Sequence, residues 1–130
     1  MEIIHLLLVD DEEDFRTTLA ARLKKRNLDV TDVGSGKEAI ELIRKKPFDV
    51  AIVDVKMSGM DGIETLKQIR EINPLVEVIL LTGHASVEAG IEGIRLGAYD
   101  YLMKPCNVND LLIKVEDAYQ RKLFEECHTQ

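Results

Sequence analysis

Four short apolar runs, each delivering a polar residue at its carboxyl end, constrain this chain more than any other feature. Ile3–Val9 leads into Asp10 and Asp11, Asp49–Val53 into Asp54, Glu77–Leu81 into Thr82, and Tyr99–Met103 into Lys104. Short runs of β-branched and aliphatic residues, separated by helical patterns, read as buried parallel strands of an α/β sheet. Ligands of such sheets bind outside the carboxyl ends of the strands. Four runs would therefore bring five polar groups to one point, which looks like a magnesium site beside a nucleophilic carboxylate.

Helical patterns fill the intervals. Asp14 to Arg26 carries Phe15, Leu19 and Leu23 at spacing four, with Lys24, Lys25 and Arg26 at the end where cations suit the helix dipole. A short strand over Asp29 to Val33 follows. Ser35 and Glu38 form a capping-box pair before Ala39, Ile40 and Ile43, and Pro47 stops that helix. Asp61 and Glu64 repeat the spacing before Ile63, Leu66, Ile69 and Ile72, with Pro74 as the stop. Ser86 caps a fourth helix from about Val87 to Leu96, ended by Gly97. The last helix starts after Asn107 or Asn109 and can continue to about Glu126. Strand and helix alternate five times, which implies right-handed crossovers and helices on both sheet faces.

The fourth helix holds Gly90 and Gly93 in its interior, each costing about 1 kcal/mol relative to alanine. Two readings fit: close packing against the glycines, or a helix kept marginal so that a nearby chemical event can shift it.

Bulk properties narrow the class. A chain of 130 residues is one domain. With Lys plus Arg at 17 and Asp plus Glu at 24, the net charge of −7 disfavours unaided binding to nucleic acid or an anionic membrane. Cys106 and Cys127 lack metal-ligand spacing and read as free thiols in a reducing compartment. No apolar run approaches the ~18 residues needed to span a bilayer, and the amino terminus lacks a secretion signal pattern. The expectation is a cytoplasmic protein with no direct nucleic-acid partner.

Taken in order, five segments resemble the receiver domains of two-component response regulators, from Ile3 to about Tyr119. They are Leu8-Val9-Asp10-Asp11-Glu12, Val53-Asp54-Val55-Lys56-Met57, Gly59-Met60-Asp61-Gly62, Thr82-Gly83-His84-Ala85 and Gly97 through Pro105. The resemblance implies a flavodoxin-like doubly wound sheet of five parallel strands in the order 2-1-3-4-5, with five helices on both faces. It implies a switch rather than an enzyme with a separate substrate. Asp54 would accept a phosphoryl group from a phosphohistidine on a sensor histidine kinase or phosphotransfer protein. Asp11, Asp54 and the backbone carbonyl of Lys56 would bind Mg2+, with Asp10 acting mainly through water. Lys104 would neutralise Asp54 and contact phosphoryl oxygens together with the Thr82 hydroxyl. Lys104-Pro105 is a cis bond in the family.

The resemblance also implies a relay from Thr82 to Tyr101, altering the face made by the fourth helix, last strand and last helix. Ordinary strand packing is the other reading of Tyr101. An unidentified downstream partner would read that face, and a phosphorylation-dependent homodimer is one use of it. Residues 1–120 would form the receiver and 121–130 a helix extension or tail.

Three departures bear on mechanism. Ser58 stands where many members have proline, which should loosen the loop after Asp54. Cys106 replaces the usual aromatic and is either a small core residue or an oxidation-sensitive thiol. Lys56 and His84 occupy positions that affect attacking water in the family. Either they slow hydrolysis of the phosphorylated form or both face solvent.

The rival readings lie in other classes. An aspartyl-phosphate hydrolase commonly needs an acid/base Asp where Lys56 stands. A flavin module needs a phosphate cradle where Asp10 to Asp14 would repel one. A receiver-like module that binds constitutively, or a receiver excised from a larger regulator, stays open.

Overall fold

The protein, represented by a computed structural model, is described for residues 3–83 and 87–128. The elements are β1 (His5–Val9), α1 (Glu13–Lys24), β2 (Asp29–Val33), α2 (Gly36–Lys45), β3 (Val50–Asp54), α3 (Gly62–Ile72), β4 (Glu77–Thr82), α4 (Val87–Arg95), β5 (Asp100–Met103) and α5 (Val108–His128). All four strand pairings are parallel and the sheet order is β2-β1-β3-β4-β5, as expected.

Alternation along the strands divides the core in two. Leu7, Val9, Ala51, Val53, Val78 and Leu80 point to one face and meet Ala39, Ile40 and Ile43 of α2 and Leu66 and Ile69 of α3. Leu6, Leu8, Val50, Ile52, Ile79 and Leu81 point to the other and meet Leu19 and Leu23 of α1 and Leu111, Val115 and Ala118 of α5. Because β1, β3 and β4 are covered on both sides, they read as continuous apolar runs. Each fully buried Leu or Ile contributes about 1.5–3 kcal/mol, so the sheet centre is the rigid platform for whatever its edge carries.

The caps behave as their chemistry dictates. Ser35 Oγ accepts from the Glu38 amide at 3.2 Å, and Asp61 Oδ1 from the Glu64 amide at 2.9 Å. Asn107 Oδ1 accepts from the Asn109 amide at 2.7 Å, which makes Asn107 the start signal of α5. Gly97, at φ 110°, ends the α4 segment in a conformation that favours glycine. Ser86, expected to cap α4, lies outside the described residues.

Gly90 and Gly93 have a packing reason. A Cβ at Gly90 would lie 2.8 Å from the Tyr101 ring, and one at Gly93 would overlap Leu80 Cδ1. The helix backbone sits directly on β4 and β5, the first of the two readings of these glycines.

Beyond residue 120, α5 continues unbroken to His128. Lys122 is buried and pairs with Asp49 at 3.0 Å and Glu126 at 2.9 Å, which ties this stretch to the body. Nearby, Glu77 opens β4 with only 2% of its surface exposed. Its carboxyl faces Arg70 at 3.7 Å, Arg121 at 4.0 Å and the Glu125 carboxyl. Burial, then Glu125, pushes Glu77 up to about 7 against the pull of the two arginines. A carboxyl at this depth was not foreseen from its place at the start of an apolar run.

Candidate functional site

Four strands end at one edge, and each delivers the residue that follows or closes it. Asp10 comes directly after β1 and is fully buried. Its Oδ1 accepts from the Glu12 amide at 2.9 Å and its Oδ2 from Lys104 Nζ at 2.9 Å. The Asp10 carbonyl accepts from Arg16 Nη1 at 3.0 Å, and Arg16 Nε is held by Asp32 at 2.8 Å. Asp10 is thus fixed through both its main chain and its side chain.

Asp54 closes β3 and is 4% exposed. Its Oδ2 lies 3.3 Å from Lys104 Nζ, and its Oδ1 accepts a long bond of 3.4 Å from the Lys56 amide. Burial, and next the Asp10 charge, push Asp54 up to about 6, while Lys104 pulls the other way. Near neutral pH the group is still mostly the carboxylate. Gly62 makes this end of β3 possible. Its amide donates to the Val55 carbonyl at 2.9 Å, and a Cβ there would overlap the Asp54 carbonyl oxygen.

Lys104 follows β5, and its bond to Pro105 is cis. Its side chain is 16% exposed, and its ammonium meets Asp10, Asp54 and Glu12, the last at 3.2 Å. Burial alone would lower the Lys104 pKa, but the carboxylates, Asp10 foremost, outweigh it and raise it. The Nζ also sits 4.3 Å from the centroid of the Phe15 ring.

Thr82 closes β4 beside these groups, and its Oγ1 is fully buried with no hydrogen-bond partner among the described residues. A buried hydroxyl without a partner costs about 1–3 kcal/mol, so this orphan calls for a reason.

The remaining expected residues are less gathered. Asp11 is exposed, and its Oδ2 accepts from the Ser58 amide at 2.9 Å. A proline at 58 has no amide hydrogen to give, so the serine, expected to loosen this loop, instead allows a bond that ties it to Asp11. Lys56 is exposed, and His84 lies outside the described residues. Tyr101 is partly buried, its ring against α4 at Gly90. Cys106 packs partly buried on the α1–α5 side, and burial pushes its thiol up, which suits a small core residue better than a reactive one.

Glu12 and Phe15 were not singled out from the sequence. The third acidic residue of Asp10-Asp11-Glu12 was the available signal for Glu12; nothing in the spacing of Phe15 distinguishes it from core. Carboxylate oxygens of Asp10, Glu12 and Asp54 lie within 4.8 Å of one another. Among the described residues this donor set is all oxygen and anionic, which fits a hard cation such as magnesium.

A family model described as the response regulator receiver domain matches residues 6–116. The transcriptional regulatory protein ZraR of Escherichia coli (strain K12) is 40% identical over 115 residues, which cover 88% of this chain and 26% of that relative. The chain thus spans about a quarter of the length of the curated relatives it matches. Among solved structures, the receiver domain of the Francisella response regulator 1452 superposes with a TM-score of 0.83 at 35% identity, covering 91% of this chain and 98% of that one. A response regulator receiver domain protein of Clostridium thermocellum does so with a TM-score of 0.90 at 31% identity, covering 94% and 98%.

Proposed function

We propose that this chain, which belongs to the response regulator receiver domain family, accepts a phosphoryl group on Asp54 and passes the change to a downstream partner. The donor is a phosphohistidine of a sensor histidine kinase or phosphotransfer protein in the cytoplasm. One observation carries this reading. A single ammonium joins Asp10 and Asp54 at the sheet edge where Thr82 keeps a buried hydroxyl that has no partner among the described residues.

In the transfer, an Asp54 carboxylate oxygen forms a bond to phosphorus as the bond to the donor imidazole breaks. Such a step needs position and charge neutralisation more than acid or base chemistry. Lys104 offsets the charge that gathers on the phosphoryl oxygens, and Thr82 donates its hydroxyl to one of them. Magnesium, when bound, would supply further positive charge for the transfer. Asp10, Asp11, Asp54 and the Lys56 carbonyl are the residues to hold it, and Asp11 must then share or leave the Ser58 amide.

The signal leaves through Thr82 and Tyr101 to the face of α4, β5 and α5, where it controls an output partner or a homodimer. Tyr101 lies against the Gly90 backbone, so the ring and the helix move together or not at all.

Magnesium binding to the native state raises stability by mass action. Millimolar magnesium should therefore raise the melting temperature by several degrees, about 3–6 °C for roughly 1 kcal/mol in a domain of this size. Beryllofluoride added with magnesium should raise it again in wild type but not in Asp54→Ala. An unchanged melting temperature together with no calorimetric heat would remove the cation site from the account.

A further inference from the structure

We propose that Phe15 is a positioning residue for Lys104, its ring face holding the ammonium against Asp54 during phosphoryl transfer. The inference rests on the reading of Asp54 as phosphoacceptor. Phe15 meets the demand of the α1 stripe for an apolar residue and adds a contact that the stripe does not need. Phe15, Leu19 and Leu23 share one stripe, and all three pack on the core between α1 and α5. An aliphatic residue at 15 would complete that stripe. The aromatic ring instead places its face 4.3 Å from Lys104 Nζ, well inside the range of a cation–π contact.

Lysine carries a compact charge on a flexible stem, so its neighbours decide where that charge stands. Here they compete. Asp10 and Asp54 draw the ammonium inward at 2.9 and 3.3 Å, while Glu12, 66% exposed, draws it toward solvent at 3.2 Å. The Phe15 ring face adds an attraction to those of the three carboxylates, 4.3 Å from the same ammonium. Without the ring face, the ammonium is freer to follow Glu12 outward and spends less time beside Asp54. An aliphatic replacement keeps the burial but loses the ring's quadrupole, so burial and attraction are separable.

The test replaces Phe15 with phenylalanines carrying one, two and five ring fluorines, which keep the shape while weakening the ring face. Phosphorylation by phosphoramidate with magnesium is followed by intact mass, and melting temperature is recorded for each protein. The rate constant should fall stepwise, reaching about three- to five-fold with five fluorines, without a parallel fall in melting temperature. Phe15→Tyr should stay within about two-fold of wild type, and Phe15→Leu should behave like the pentafluoro protein. A flat series, or rates that track melting temperature alone, overturns the role of Phe15 while wild-type labelling leaves the function intact. Wild type that takes no phosphoryl group overturns the underlying reading and this inference with it.

Discussion

Replacing Lys104 with alanine should slow phosphorylation of Asp54 by about two to three orders of magnitude, the usual cost of removing a placed charge from a buried transfer site. Its ammonium reaches Asp10, Asp54 and Glu12 together, and no other described cation pairs with Asp54. The same substitution should also destabilise the metal-free protein at pH 8. It strands two buried carboxylates, and breaking a buried pair by removing one partner costs about 3 kcal/mol. That loss has a defined pH dependence. The folded-state pKa of Asp54 already stands near 6 against an ordinary 3.8, so the folded state binds its proton more readily than the unfolded state does. Stability withheld at high pH therefore returns as pH falls through that region, and loss of the lysine moves the return to higher pH. Urea unfolding at pH 8 and pH 5.5, with labelling rates by intact mass, measures both effects. A rate within a few-fold of wild type would refute the role of Lys104.

The second large effect lies at the other end of the sheet. Glu77→Gln should make the protein more stable than wild type at pH 8, by about 2 kcal/mol, with the difference vanishing near pH 4.5. The folded pKa of Glu77 is about 7, above its ordinary 4.5. Its stabilisation is complete below the lower value and is lost as pH rises through the upper one. Glutamine resembles the protonated acid and keeps a donor for the Glu125 carboxylate, whose own pKa is lowered chiefly by its hydrogen bond to Glu77. Arg70 and Arg121 already pull against the shift, and Arg70 has a second partner in the Val76 carbonyl at 2.8 Å. Parallel stability curves for the two proteins between pH 4.5 and pH 8 would show that Glu77 does not hold its proton.

What the sequence made legible was local or periodic. The strand over Asp29–Val33 matches its expected bounds. Ser35 and Asp61 cap the helices their spacing announced. Convergence of Asp10, Asp54, Thr82 and Lys104 at one edge followed because parallel strands deliver their carboxyl ends together. The details that escaped depend on side-chain direction between elements distant in sequence. Glu12 turns to Lys104 and Asp11 to Ser58, although adjacent residues in one acidic run give no reason to part. Phe15 looks like core by spacing and reaches Lys104 only because α1 begins beside the end of β5. Gly90 and Gly93 registered as weak helix formers, whereas their reason lies across the sheet in Tyr101 and Leu80. Glu77 could not be seen as buried, because a charge opening a strand ordinarily marks its exposed end.

The most direct measurement is stoichiometric labelling of wild type and Asp54→Ala by a small-molecule phosphodonor, with and without magnesium, followed by intact mass. The account predicts one phosphoryl group per chain on wild type, dependent on magnesium, and none on the variant. Equal labelling of the two proteins, or no labelling of wild type under any condition, would contradict it. The second result would leave the face of α4, β5 and α5 as a surface that binds its partner without phosphorylation.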